Sequence, residues 1–396
     1  MIKQEDRMSC LPHSLRTLTA TDRSIAKAGG KKSTVKIDLK GQKMLTEITR
    51  ILAPLVLLAG LTGAAQAVTV FIPEGSGDQI LMVDAVTGQV IGRIEGLEAV
   101  HGLAGAAGLP YLIAGSYAEI TADEAASIPN PEGVTADEHA AHHAKPAAGA
   151  MPEDAGRSIL TVLDAESGSV VRRIEVPGAV HHTAISSDGR LATATHPAGD
   201  GISLIDLETL SFKAFIPTGS MPNYAIFSLD GGTIYVSNTG NGTISEVDVA
   251  KGIVMRNILA GEGPEHIVLS SDGGTLYAVD ADAGQVHEIA LSSGAILRSF
   301  QIGGELHGMD LSEDGATLFV SGKGENKIVA VDLASGSVRS APLEPAPYHL
   351  TTVTGTGKIY VSSRDEPKVW VVDPATLTAT AEIAVVGEGH QMVVLP

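Results

Sequence analysis

Gly263-Pro264-Glu265-His266-Ile267-Val268-Leu269-Ser270-Ser271-Asp272-Gly273-Gly274-Thr275-Leu276-Tyr277-Ala278-Val279-Asp280 is the stretch from which the fold can be read. It predicts a strand that opens at a histidine, a tight Ser-Asp-Gly-Gly turn, and a second strand. Asp-Gly and Ser-Gly supply the positive-φ positions that hairpins between twisted strands require. The same pattern recurs along the chain, anchored at His101, His181, Asn223, His266, His307, His349 and His390. From position 181 onward the anchors are 42, 43, 41, 42 and 41 residues apart. In the unit that begins at His266, four strand-like runs follow one another: Ile267–Ser270, Thr275–Val279, Gln285–Leu291 and Ile296–Ile302. Four short strands in a repeat of about 40–45 residues predict a β-propeller blade.

Counting blades closes the ring. Residues 68–97 hold three strands (Thr69–Pro73, Gln79–Asp84, Gln89–Glu95), and His390–Leu395 supplies a fourth, so one blade is built from both ends of the repeat region. Six further blades begin at His101, His181, Asn223, His266, His307 and His349. The expected fold is therefore all-β, a seven-bladed β-propeller over residues 68–396, closed by the C-terminal strand so that no edge is left free. One interval breaks the period: His101 and His181 lie 80 residues apart. The excess falls in 117–156, an Ala/Glu/Asp/Pro-rich stretch carrying His139, His142 and His143, which reads as a long mobile insertion. Blade topology puts this insertion on the same face as the anchors. His196, in the corresponding connection of the next blade, is expected to face the same way.

Composition excludes several classes. The 396 residues carry a formal charge of −19, which argues against nucleic acid and anionic membrane surfaces and suits attraction of cations. One cysteine, Cys10, excludes a disulfide framework and any thiolate metal cluster. Residues 51–62 form an apolar run too short to span a bilayer comfortably, followed by the small-x-small pattern Ala65-Gln66-Ala67. This predicts a secretory signal peptide over 44–67 that starts at Met44, with 1–43 a disordered or over-extended upstream segment. Cleavage after Ala67 removes 11 of 27 basic and 5 of 46 acidic side chains, leaving 16 basic and 41 acidic, net −25. An exported, cysteine-free, strongly acidic chain fits a bacterial periplasm.

Six of the seven anchors are histidine, and His182 adds a seventh imidazole beside His181. A polar channel lining is the plain reading of such positions; metal binding is the sharper one, since neutral imidazole is the commonest protein ligand for late first-row divalent ions. Seven rings cannot all reach one ion, because zinc takes about four ligands at about 2.0–2.1 Å from nitrogen. Adjacency groups His390, His101, His181 and His182 on one arc, and beyond Asn223 it groups His266, His307 and His349 on the other. Glu265, Glu305 and Glu388 flank anchors and are candidates to ligate or to orient rings. His139, His142 and His143 become a capture arm above the mouth, and His287, on an alternating strand, reads as structural. No nucleophile elbow, Walker loop, dinucleotide fingerprint or haem-attachment motif is present, so the chain is expected not to be an enzyme.

The Ser-Asp-Gly-Gly-Thr-Leu-Tyr-Ala-Val-Asp pattern of residues 271–280 and its repeats resembles the YVTN-type propeller repeat across residues 68–396. Together with the signal peptide, the histidine anchors and the His-bearing acidic insertion, the chain looks like the periplasmic zinc metallochaperones of the AztD type. That resemblance implies Zn2+ as cargo, held at one channel end by the anchors. It also implies transfer to the solute-binding protein of a zinc ABC importer, with no membrane contact after cleavage and no nucleic acid. The family's mobile His-rich segment falls on His139, His142 and His143, whereas Val68-Thr69-Val70-Phe71-Ile72 runs directly into a strand where that family has a His-rich N-terminal stretch. Besides a plain interaction scaffold, two other classes stay open. One is a copper-cluster propeller of the nitrous oxide reductase kind, to which the His181-His182 pair conforms. The other is a d1-haem or tetrapyrrole-handling propeller with one ring histidine as axial ligand.

Overall fold

A computed structural model of the protein describes residues 68–129, 131, 149–152 and 156–396. They form seven antiparallel four-stranded sheets, as the repeat predicts. Blade 1 joins the C-terminal strand Val393–Leu395 to Thr69–Glu74, Gln79–Asp84 and Val90–Glu95, with Phe71 opposite Val393 and Thr69 opposite Leu395. Blades 2 to 7 then follow in chain order. In blade 5 the strands are Pro264–Leu269, Thr275–Asp280, Gln285–Ala290 and Ala295–Gln301. Its first turn shows what Ser-Asp-Gly does. Ser270 donates to Asp272 Oδ1 at 2.6 Å and accepts from Thr275 N at 2.9 Å, while Gly273 sits at φ 72°, a conformation costly for other residues. Ser228/Asp230 and Ser312/Asp314 repeat the same bonds.

The hydrophobic cores lie between blades, one at each of the seven blade junctions. Between blades 5 and 6, Val279 and Val286 meet Val320 and Val329; between blades 7 and 1, Tyr360 and Val369 meet Ile72 and Leu81. Each fully buried Leu, Ile or Val is worth about 1.5–3 kcal/mol relative to exposure, and closure lets every blade bury both faces. Polar turns and apolar alternation therefore suffice to specify the disc.

Two devices bring the anchors into the channel. In blades 2, 4, 5 and 7 the pairing of the first two strands slips between Val100 and Gly102, Pro222 and Ala225, Pro264 and Ile267, and Pro347 and Leu350. Each slip contains an anchor residue, and such bulges re-aim a side chain out of the ladder. In blades 3 and 6 the first strand begins only after the histidines, at Thr183 and Met309. Hydroxyls on second strands then pin the next blade's anchor segment: Thr195 Oγ1 to the Asn223 carbonyl at 2.8 Å, Ser237 Oγ to that of Glu265 at 2.5 Å, and Ser321 Oγ to that of Tyr348.

Within 117–156, the described residues form a bridge between Ile120 and Arg157 and the one α-helix among the described residues, Ala122–Ser127. Thr121 and Glu124 cap that helix reciprocally. His139, His142 and His143 lie outside the described residues, as does the segment assigned to a signal peptide.

Candidate metal centre

The seven ring imidazoles form one continuous cluster. Ring centroids are 3.9 Å apart for His101–His390, 4.6 Å for His101–His181, 4.2 Å for His181–His182, 4.8 Å for His266–His307 and 4.7 Å for His307–His349. The cluster also crosses the channel: His182 lies 5.3 Å from His349 and 5.2 Å from His266. Two sets of three ligand nitrogens gather within 4.8 Å, His101/His181/His182 and His182/His266/His349. The expectation of two separate arcs is thereby corrected, because His182 belongs to both sets. A seven-membered mouth is narrow enough for opposite anchors to meet, which linear spacing does not reveal. His390 and His307 stand just outside the sets, stacked on His101 and packed against His349 respectively.

Hydrogen bonding prepares these rings for a cation. His182 Nδ1 lies 2.8 Å from the Asn223 carbonyl and His101 Nδ1 lies 2.7 Å from that of His181. A carbonyl only accepts, so Nδ1 carries the proton and Nε2 keeps its lone pair. Asn223 thus interrupts the histidine series yet orients its neighbours through its main chain. His182 Nε2, His266 Nε2, His349 Nδ1, His390 Nδ1 and Asn223 Oδ1 are buried without a hydrogen-bond partner among the described residues. Unmet buried polar atoms are costly, and an ion bound in the two sets would satisfy the imidazoles that belong to them.

Electrostatics agree. Burial holds His101, His182, His266, His307 and His349 well below the usual imidazole range, and neighbouring imidazoles push His101, His182 and His349 further. Burial also lowers His181, and burial followed by the Arg364 guanidinium pushes His390 down to about 3. At neutral pH the rings are uncharged, the form that binds metals. Glu265 contributes the one carboxylate bonded to a ring imidazole among the described residues, 2.7 Å from His307 Nδ1, and burial raises its pKa. This carboxylate–histidine pair fixes a ring orientation with His307 Nε2 facing His349 Nε2 at 3.4 Å.

The other flanking acids do different work: Glu305 pairs with Lys323 at 2.5 Å and Glu388 accepts from Ser76 at 3.2 Å. His196 stands apart from the ring. Its Nδ1 faces the carbonyls of Gly178 and Ala179 at 3.2 Å each and its Nε2 lies 2.7 Å from Ser203 Oγ, so the blade itself satisfies it. His287, bonded to Ser299 at 2.8 Å and Asp280 at 3.3 Å, is structural as read. Sequence reasoning missed Tyr224, Tyr348 and Gln391, each adjacent to an anchor. Tyr224 packs 4.7 Å from His182 and 4.4 Å from His266, and Tyr348 stacks on His307 at 3.8 Å and 9°. Gln391 accepts from Leu103 N and Thr183 N at 3.1 Å each and donates to the Thr183 carbonyl at 2.9 Å.

Fold and site define a seven-bladed propeller with a histidine-lined mouth. No family model matches the chain, and no curated protein matches it by sequence. Among solved structures, the chain is similar to the Pseudomonas aeruginosa periplasmic gluconolactonase PpgL, with TM-score 0.63 and 17% identity over 84% of this chain and 99% of that one. It is similar to hydrazine synthase of Kuenenia stuttgartiensis, with TM-score 0.59 and 17% identity over 78% of this chain and 92% of that one. The dihydro-heme d1 dehydrogenase NirN matches with TM-score 0.55 and 14% identity, over 80% of this chain and 63% of that one. At these identities the likeness establishes the propeller fold. The expectation that the chain is not an enzyme is corrected to this extent: the same fold is shared by gluconolactonase-type enzymes, so lacking a familiar catalytic motif does not exclude catalysis.

Proposed function

We propose that the protein is a periplasmic zinc carrier of the AztD type. It takes Zn2+ into the histidine mouth and passes it to the solute-binding protein of a zinc ABC importer. The observation that carries this reading is the pair of three-imidazole sets sharing His182, lined by buried nitrogens without a partner among the described residues. Imidazole sites can exchange ligands one at a time, so an ion held by the His101 set can acquire the His266 set's ligands before it loses its own. The same stepwise exchange suits transfer to an acceptor's histidines. The apolar segment 51–62 with its Ala65-Gln66-Ala67 end and the acidic remainder support export.

Elemental analysis with chelator competition tests the reading, on the exported chain and on a 117–156 deletion. Zinc bound tighter than micromolar, retained by the deletion but transferred more slowly to a zinc-binding acceptor, is the expected result. Weak zinc binding, or a coloured protein carrying copper or haem, overturns it.

A second reading draws on two features. Three imidazoles leave a zinc ion an open position for water, the arrangement of catalytic zinc sites, and a solved neighbour is a gluconolactonase. Zinc-dependent lactone hydrolysis that is lost in H182A would favour this reading over carriage.

A further inference from the structure

The mouth carries a positive charge that a metal carrier has no obvious use for. Lys323 and Arg364 follow the second strands of blades 6 and 7, Thr317–Gly322 and Lys358–Ser363, at equivalent positions of the repeat. Both reach the Tyr348 ring: Lys323 Nζ at 5.8 Å and Arg364 Cζ at 5.3 Å from its centroid. That ring lies 3.8 Å from His307, 4.5 Å from His349 and 6.0 Å from His390. Lys323 is neutralised by Glu305. Arg364 has no ion pair among the described residues; its main-chain N–H bonds the Ala346 carbonyl, and its guanidinium is left to the aromatic face and solvent. In a chain of net charge −19, an unpaired arginine beside a cation site is unexpected.

A divalent ion bound only by neutral imidazoles keeps its full charge in a partly desolvated mouth, and a nearby guanidinium adds repulsion. Glu265 offsets one unit, but its carboxylate is already engaged with His307. A carboxylate anion resolves both imbalances, because one oxygen can enter the metal's open position while the other accepts from the arginine fork. Stacking on Tyr348 restricts the guanidinium, so little ordering is needed when the anion arrives.

We propose that the mouth binds metal together with a small carboxylate anion, which ligates the ion and is held by Arg364. The inference rests on the metal-carrier reading. It adds that loading depends on the anion, and that an acidic side chain of an acceptor can displace the anion during transfer.

The test uses the full chain loaded with Co2+, whose visible bands report its ligands, titrated with acetate at constant ionic strength. The expected result is a saturable band change in the parent protein. In R364Q the half-saturating acetate concentration rises about tenfold or more, in R364K it rises less, and cobalt affinity without acetate is not weakened. Because Arg364 is solvent-exposed, thermal melts of both variants are expected to match the parent. Bands that ignore acetate, or an equal response in R364Q, overturn the anion inference and leave metal binding standing. No cobalt bands at all overturn the metal reading and this inference with it. Replacing acetate by a glutamate-containing peptide with the same Arg364-dependent response extends the inference to acceptor side chains.

Discussion

The ring histidines and the blade histidines make an instructive pair. His196 is as deeply buried as His182, and both have imidazoles whose pKa burial depresses, His196 to about 4. They differ in what surrounds the second nitrogen. Both nitrogens of His196 and of His287 meet oxygen atoms of the protein, whereas His182, His266, His349 and His390 each keep a nitrogen without a partner among the described residues. Burial marks a histidine as part of the fold; an unmet lone pair marks it as waiting for something the fold does not provide.

Acid is the broadest test of that distinction. An imidazole lowered in the folded state, against about 6.5 unfolded, lets the unfolded chain bind more protons between the two values, so stability rises with pH there. The metal-free protein is therefore expected to hold full stability above about pH 6.5 and to lose it as pH falls. Each depressed imidazole removes roughly 1.4 kcal/mol per pH unit until its folded value is reached, about 4 for His196 and about 3 for His390. Urea unfolding at several pH values measures this, and added zinc should raise stability at neutral pH without flattening the dependence, because the ion keeps ring imidazoles deprotonated while the unfolded chain still takes up protons. A metal-free protein equally stable at pH 7 and pH 5 would contradict the assigned neutral state.

H182A removes the ligand common to both sets and is expected to weaken zinc by more than 100-fold, beyond the roughly 10–100-fold that loss of an outer-shell partner costs. H101A or H266A leaves one set whole and should weaken it less. Chelator competition distinguishes these outcomes; equal losses in all three would mean that the sets are not shared through His182. E265Q, which weakens the acceptor of the His307 bond, should cost about 10-fold in affinity without moving the thermal midpoint of the metal-free chain. H287A should leave zinc affinity unchanged while lowering folding stability by about 1–3 kcal/mol, because Asp280 and Ser299 lose a buried partner. A loss of zinc binding in H287A would erase the contrast between the two kinds of histidine.

Much of this could be read from the chain because the repeat is written locally. The Ser-Asp-Gly turns, the alternation of Val, Ile and Leu, and the regular return of histidine predict blade count, closure and the anchors' shared face. Which anchors meet could not be read, because it depends on the diameter of the closed ring and on bulges such as the one between Pro264 and Ile267. Sequence places His182 one step beyond its anchor, yet in the closed ring it meets His349 at 5.3 Å. What satisfies His196 was likewise not legible, because Ser203, seven residues away, becomes its neighbour only through strand pairing. Arg364 and Tyr348 form no motif in the sequence, and their juxtaposition follows from the pairing of Pro347 with Ser363 in blade 7.

Gln391 gives the closing strand a second task. The segment that completes blade 1 sends this one side chain across the channel to Leu103 and Thr183, in the strands that carry or follow His101 and His182, and delivers His390 onto His101. Annealing of the chain's last residues is thus also the moment at which the mouth is assembled. Loss of the strand Val393–Leu395 would open blade 1 and withdraw the Gln391 and His390 contacts from the mouth together.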